Sequence, residues 1–289
     1  GPHGGLYDTG HRSGVPGAVR RAGGRRKGGC DAVIYIVTHK RVDLPKLKGY
    51  RAIQVGDAAD SFPGCLRDNT GDNIADKNAN YCELTAMYWV WKNIDDPYKG
   101  LAHYRRYFGR RALSSRVEDI LGYDALVHML DGRDILAARP AVYHVNAREQ
   151  LLMDCCTPET FDKLEAGVEA LSPEYMDAFR SFFAGNRAAQ YNMLFCRQAL
   201  FDDYCAWLFP VLFKLEDQVD LSNANIYQKR LYGFLSERLL NVWILHNRLS
   251  SRYLPVVSTE YTRKDHLTYL RRDITNGMRF KWQKREGQS

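Results

Sequence analysis

The sequence predicts an α/β fold, with a mainly parallel central sheet and helices on both faces. Three observations lead to it. Short apolar runs alternate along the chain with longer helical patterns, the order that builds a parallel sheet through helical crossovers. Polar clusters directly follow the apolar runs VIYIV and GLA, as expected at the carboxyl edge of an open sheet, where ligands bind. The 289 residues are 45% hydrophobic and 26% charged, enough for a substantial buried core.

Residues 1–30 are rich in Gly and Arg and are too poor in apolar surface to order themselves. They read as a flexible extension whose opening Gly1-Pro2 resembles a protease-cleavage scar. Strands are then predicted at 33–38, 52–56, 100–103, 135–138 and 193–196, and helices at 81–93, 159–170, 173–184, 200–218 and 234–246. In the first helix Tyr81, Leu84, Tyr88 and Trp91 recur at helical spacing, and Asp95-Asp96-Pro97 stops it because proline restricts the residue before it. In the helix over 200–218, Phe201, Tyr204, Cys205, Leu208, Leu212 and Leu215 form one stripe, and Pro210 is expected to kink it. No internal repeat is present. The organisation expected is an extension over 1–30, one α/β domain over 31–262 and a basic, aromatic C-terminal tail over 263–289.

The formal charge is +7. Residues 1–30 and residues 263–289 each carry +5, which leaves −3 between them. The folded part is therefore not basic, and nucleic acid is not an expected partner. The seven cysteines are odd in number and lack a CxxC pair, so they read as reduced thiols of a cytoplasmic protein and not as a disulfide frame or zinc site. No apolar run approaches the roughly 18 residues needed to span a bilayer.

The segment 68–108 holds most of the chemistry. A turn rich in Asp, Asn and Gly (Asp68 to Asn73) leads through Asp76-Lys77-Asn78 to the first helix, and the next strand ends in His103-Tyr104-Arg105-Arg106. Arginine forks suit diphosphate oxygens, although such a charge run is equally a solvated edge. Asp72, Asn73, Lys77 and Asn78 are placed near a phosphate-bearing ligand at a helix N-terminus, where free N–H groups receive phosphate. Thr38-His39-Lys40 ends the first strand, where base and ribose contacts begin in nucleotide-binding α/β folds. The aromatic neighbours Tyr104 and Tyr107 suit bases and sugar faces, and Tyr suits a core equally well.

The strings TGDNIADKN, YCELTAMYWVWKN and GLAHYRRYF, followed by YNMLFCRQALFDDYCAWLFPVLFKLE and YGFLSERLLNVWI, resemble the bacterial polysaccharide-biosynthesis family filed as domain of unknown function 4422. The resemblance runs from about residue 31 to about residue 247. It implies a GT-A-like glycosyltransferase that moves a sugar, galactofuranose or another hexose, from a nucleotide-diphosphate donor, expected to be a UDP-sugar, to a hydroxyl of a growing lipid-linked polysaccharide, with inversion. A catalytically silent nucleotide-sugar or glycan-binding module is the alternative.

Within this resemblance Glu237 is the expected catalytic base, since it lies near a late helix start; a structural carboxylate at a helix start is the other reading. Asn192, Trp207 and Tyr107 are the expected acceptor contacts, and Asn192 and Trp207 fit a structural role as well. Where GT-A enzymes carry Asp-x-Asp, this strand ends in His103-Tyr104-Arg105. No cofactor or metal ligand is therefore assigned, and cations are expected to neutralise the diphosphate. Mn²⁺ or Mg²⁺ stays an alternative, with Asp95-Asp96, Asp131/Asp134 and Asp202-Asp203 as the other carboxylate sources. The mixture of cations with Leu267, Tyr269, Ile274, Met278 and Trp282 in the tail suggests peripheral attachment to an anionic membrane surface, the inner face of the plasma membrane; aromatics packed on the preceding domain beside solvated cations are the other reading.

Overall fold

A computed structural model describes residues 34–56 and 64–286 of the chain; the extension expected over 1–30 lies outside the described residues. The chain opens with β1 (Ile34–Thr38), whose five residues are all buried. It continues through β2 (Tyr50–Gln54) and β3 (Leu66–Arg67) to a one-turn helix α1 (Asn78–Tyr81), α2 (Leu84–Asn93) and β4 (Tyr98–His103). β1 pairs in parallel with both β2 and β4, and β2 pairs in parallel with β3.

After a short β5 (Arg106–Phe108) come α3 (Tyr123–Leu130), β6 (Ile135–Ala138), β7 (Ala141–Val142), α4 (Ala147–Asp154), α5 (Pro158–Leu171), α6 (Met176–Ala184), β8 (Arg187–Ala188) and β9 (Leu194–Arg197). Thr157 caps α5 by accepting from the Thr160 N–H, with Pro158 in the first turn, where a missing N–H costs nothing. The chain ends with α7 (Gln198–Glu216), α8 (Leu231–His246), β10 (Ser251–Leu254), β11 (Val256–Ser258) and α9 (Arg263–Glu286).

The main path of the sheet runs β10-β6-β9-β4-β1-β2-β3. It is mainly parallel, as the alternation of elements predicts, except that β9 runs antiparallel to both β4 and β6. The helices α4 to α6 return the chain to the edge at which β6 ended, so β9 enters from that edge and runs backward. Alternate residues of β1 face opposite layers. Tyr35 and Val37 join a core with α2 and α5–α8, while Ile34 and Ile36 join one that includes Leu126 and Leu130 of α3. This is the period-2 alternation of a sheet covered on both faces.

Two local features depart from the sequence expectations. The helix expected over 81–93 is broken at Cys82, whose φ of 53° lies in the left-handed region; the apolar spacing continues through the break and so hides it. Within the segment expected to be a tail, residues 263–286 form the 24-residue helix α9, which packs against β7.

Gly100 of β4 is paired with Phe195 of β9. A Cβ there would lie 2.8 Å from the Leu194 carbonyl oxygen and 2.8 Å from the Phe195 ring. Backbone cannot yield cheaply in a packed sheet, so Gly100→Ala is expected to destabilise the fold by about 1–3 kcal/mol. Urea denaturation measures this, and an unchanged midpoint would show that the sheet absorbs the methyl group.

Candidate functional site

A cleft of about 990 Å³ opens at the carboxyl ends of β1 and β4 and is walled by α1, α4, α8 and α9. This is where open α/β sheets bind ligands, because strand ends leave polar groups facing solvent. Five arginines line it (Arg105, Arg106, Arg230, Arg238 and Arg272), together with three carboxylates (Glu83, Asp154 and Glu237).

On one wall the Tyr104 ring meets His39 edge-on at 5.4 Å. The Arg105 guanidinium lies 5.4 Å from the same ring and the Lys40 ammonium 5.1 Å. Burial lowers the His39 pKa, and the neighbouring charges of Lys40, Arg105 and Arg230 lower it further. A neutral imidazole beside an aromatic face suits a base or ribose. Arg105 also pairs with Glu260 at 3.0 Å, with both side chains substantially exposed.

The floor is a buried polar network. Tyr191 and Asn192 both adopt left-handed backbone, with φ of 72° and 50°, strain that persists only where surrounding bonds enforce it. The reversal aims the Tyr191 carbonyl at His103 Nε2, which donates to it at 2.6 Å, and the Tyr191 N–H at Glu237 Oε1, at 2.8 Å. Asn192 donates to Glu83 Oε1 at 2.8 Å and to the Gly233 carbonyl at 3.1 Å, and accepts from Ser236 Oγ at 2.9 Å. Burial lowers the His103 pKa, against the pull of Glu83, 4.0 Å away.

Glu237 sits in the second turn of α8, which begins at Leu231, one turn earlier than the sequence suggests. Its Oε2 accepts from Arg238 Nη1 at 2.8 Å, and Arg238 reaches Asp154 at 3.2 Å. Burial raises the Glu237 pKa to about 7, the Arg238 charge opposes this, and Glu83 adds to it. Arg106 stacks over the Tyr191 ring at 4.4 Å, and its Nε is buried without a hydrogen-bond partner.

The structure brings Thr38, His39, Asn78, His103, Tyr104, Arg105, Arg106 and Glu237 to the cleft. It does not bring the other expected site residues into its lining. Asp72 accepts from the Tyr88 hydroxyl, and Asn73 is bonded within its own turn. Lys77 is held by both oxygens of Glu216 at 2.9 Å. Lys40 stands outside the lining, over the Tyr104 ring. Among the expected acceptor contacts, Tyr107 is fully buried and donates to the Tyr104 carbonyl. Asn192 is buried in the floor network, and Trp207 stacks on Tyr175 at 4.6 Å. Lys40, Lys77, Tyr107 and Asn192 each adjoin a residue of the lining but turn their side chains away from it, whereas Asp72, Asn73 and Trp207 lie on segments that contribute no residue to the lining.

Asp154, Arg230 and Arg272 line the cleft without having been assigned to it from the sequence. One signal was available: the adjacent charges Glu237-Arg238 within the apolar run LYGFLSERLLNVWIL mark a buried pair that needs partners. Asp154 is one of them.

The donor set does not fit a divalent cation. The end of β4 presents a histidine and two arginines, and the nearby carboxylates are already bonded to Asn192 and Arg238. Among the described residues no three His, Cys, Asp or Glu side chains converge. None of the other carboxylates considered from the sequence (Asp95, Asp96, Asp131, Asp134, Asp202 and Asp203) lines the cleft, and Asp95 is engaged with Gln198, Asp96 with the Tyr35 hydroxyl, Asp134 with the Ser250 N–H and Asp202 with the buried Lys99 at 2.7 Å.

With this geometry in hand, comparison with known proteins is informative. A solved structure described as the WbbM bifunctional glycosyltransferase in its apo form matches with a TM-score of 0.72 and 30% identity, over 80% of this chain. The chain spans 45% of the length of that structure. No curated protein matches. Residues 33–248 match the family described as a domain of unknown function, DUF4422, and the chain belongs to that family, with a GT-A-like glycosyltransferase fold.

Proposed function

We propose that the chain transfers a hexose from a nucleoside-diphosphate donor to a hydroxyl of a growing glycan, with inversion. One observation carries the reading: a single cleft sets a buried carboxylate with a pKa near 7 against a cluster of arginines and an aromatic wall. In this reading Thr38, His39 and Tyr104 receive the nucleoside. Arg106, Arg105 and Arg230 neutralise the diphosphate, a task in which preorganised cations need no metal.

Glu237 takes the proton of the acceptor hydroxyl as the oxygen attacks the anomeric carbon. The bond to the diphosphate breaks on the opposite face, and the departing oxygen keeps the bonding pair, stabilised by the arginines. A pKa near 7 suits a base that must be ionised yet basic at neutral pH. The galactofuranose or other hexose, the UDP carrier and the lipid-linked acceptor come from the family resemblance and define the first substrates to try.

One observation favours the second reading, a binding module without turnover: both Glu237 oxygens already accept bonds, from Tyr191 and Arg238. Two measurements separate the readings. A panel of nucleotide sugars should raise the melting temperature for the cognate donor, as ligands of the native state do, and that donor should then release nucleoside diphosphate in the presence of acceptor. Stabilisation by a donor with no release, across hexose donors and lipid-linked acceptors, would establish the binding module. No stabilisation by any nucleotide sugar would overturn both readings.

A further inference from the structure

We infer that the outward face of α9 docks on an anionic lipid bilayer and thereby holds the cleft at the membrane surface. A helix of a soluble domain ordinarily turns its apolar stripe toward the core. In α9 the arrangement is reversed. Leu267, Ile274, Met278 and Trp282 follow helical spacing and are 49%, 54%, 60% and 58% exposed. The polar face turns inward instead. Asn276 donates to the Val142 carbonyl at 2.8 Å, Asp273 accepts from the Val142 N–H at 3.5 Å, and Tyr269 stacks on Tyr261 at 5.0 Å.

Charge selects the occupant. Arg263, Lys264, Arg271, Arg279 and Lys281 are all exposed along the helix. The two carboxylates between residues 263 and 283 are occupied, Asp265 with Thr262 and Asp273 with Val142. A second copy of the chain would bring like cations together across a two-fold contact. An anionic leaflet attracts them, while the apolar stripe enters the headgroup boundary and Trp282 suits that depth. No helix among the described residues is long and apolar enough to cross a membrane, so the contact is with the surface.

Tyr269, Arg272 and Asn276 on the inward face of the same helix line the cleft. The lipid would therefore lie about one helix diameter, roughly 10 Å, from the cleft wall. If the sugar-transfer reading holds, an acceptor anchored in the bilayer reaches the cleft without leaving it; the docking itself does not depend on that reading.

The test is co-sedimentation with phosphatidylcholine vesicles, with and without phosphatidylglycerol. The full chain should pellet only with the anionic vesicles, and less as salt rises. Deleting α9 would also strip the cleft wall, so point substitutions serve better. Ile274→Glu combined with Met278→Glu should lower the bound fraction at least about tenfold, with the melting temperature and its response to nucleotide sugars unchanged. Arg271→Glu with Arg279→Glu should abolish the salt-sensitive part. Equal pelleting by the Ile274/Met278 variant, or no binding of the unaltered chain to anionic vesicles, would overturn the docking. So would self-association in sedimentation velocity that the same substitutions abolish, which would assign the face to a second copy.

Discussion

Glu237→Gln is expected to lower kcat on the order of 10²-fold or more while leaving donor affinity nearly unchanged. The amide keeps the shape and still accepts from the Tyr191 N–H, but it cannot take a proton. The unaltered enzyme should also show an acid limb in kcat/KM near pH 7, because burial raises the Glu237 pKa to about 7 and only the ionised form acts as a base. Activity is low below that pH, rises through it, and loses this limb in the variant.

A stability signature accompanies the kinetic one. The raised pKa means that the native state retains a proton which the unfolded chain has released. The contribution of Glu237 to stability is therefore full below its usual value near 4.5 and is lost as pH rises through about 7. Melting curves at pH 5 and pH 8 should show this for the unaltered chain and less of it for the variant. A folded variant with near-normal turnover would remove Glu237 from the chemistry, and Glu83, on the same floor, would be tested next.

Arg106→Ala should weaken nucleoside-diphosphate binding by about 2–3 kcal/mol, the cost of deleting one partner of a desolvated charge-assisted contact. The Arg106 Nε is buried without a protein partner, and the Tyr191 ring holds the guanidinium in place. Arg105 differs because it is partly exposed and already paired with Glu260. Arg105→Ala should therefore cost less, about 1 kcal/mol or below, since a ligand must compete with that pair. Isothermal titration of both variants checks the order. Equal losses, or a larger loss at Arg105, would relocate the diphosphate. Turnover retained in EDTA is expected from the same arrangement, and complete loss restored by Mn²⁺ would contradict it.

The sheet was largely legible because its signals are local. VIYIV, GLA and the NMLF run carry strand patterning in a few residues each, and the strands they predict form. The direction of β9 was not legible, because it depends on which edge α4 to α6 return the chain to. The break at Cys82 was hidden because side-chain periodicity says nothing about a single left-handed residue. In the site, strand-end residues such as His39 and Arg106 were found because a strand's end is visible in sequence. Lys77 turns away although its neighbour Asn78 lines the cleft, because proximity along the chain does not determine which way a side chain points, and Asp72 and Trp207 lie on segments that long-range packing keeps out of the lining.

The tail shows the same division. Its composition indicated apolar residues mixed with cations, but only the packing of Asn276 and Asp273 against Val142 decided which residues turn inward and which stay exposed. The sequence by itself determined the α/β class, the family and the strand ends that carry His39, His103 and Arg106, because these follow from local patterning and long ungapped strings. Only the tertiary structure decided that Glu83, Arg230 and Asp154 share one cleft with Glu237. Each comes from a different helix or loop, and long-range packing sets their distances, burial and the resulting carboxylate pKa.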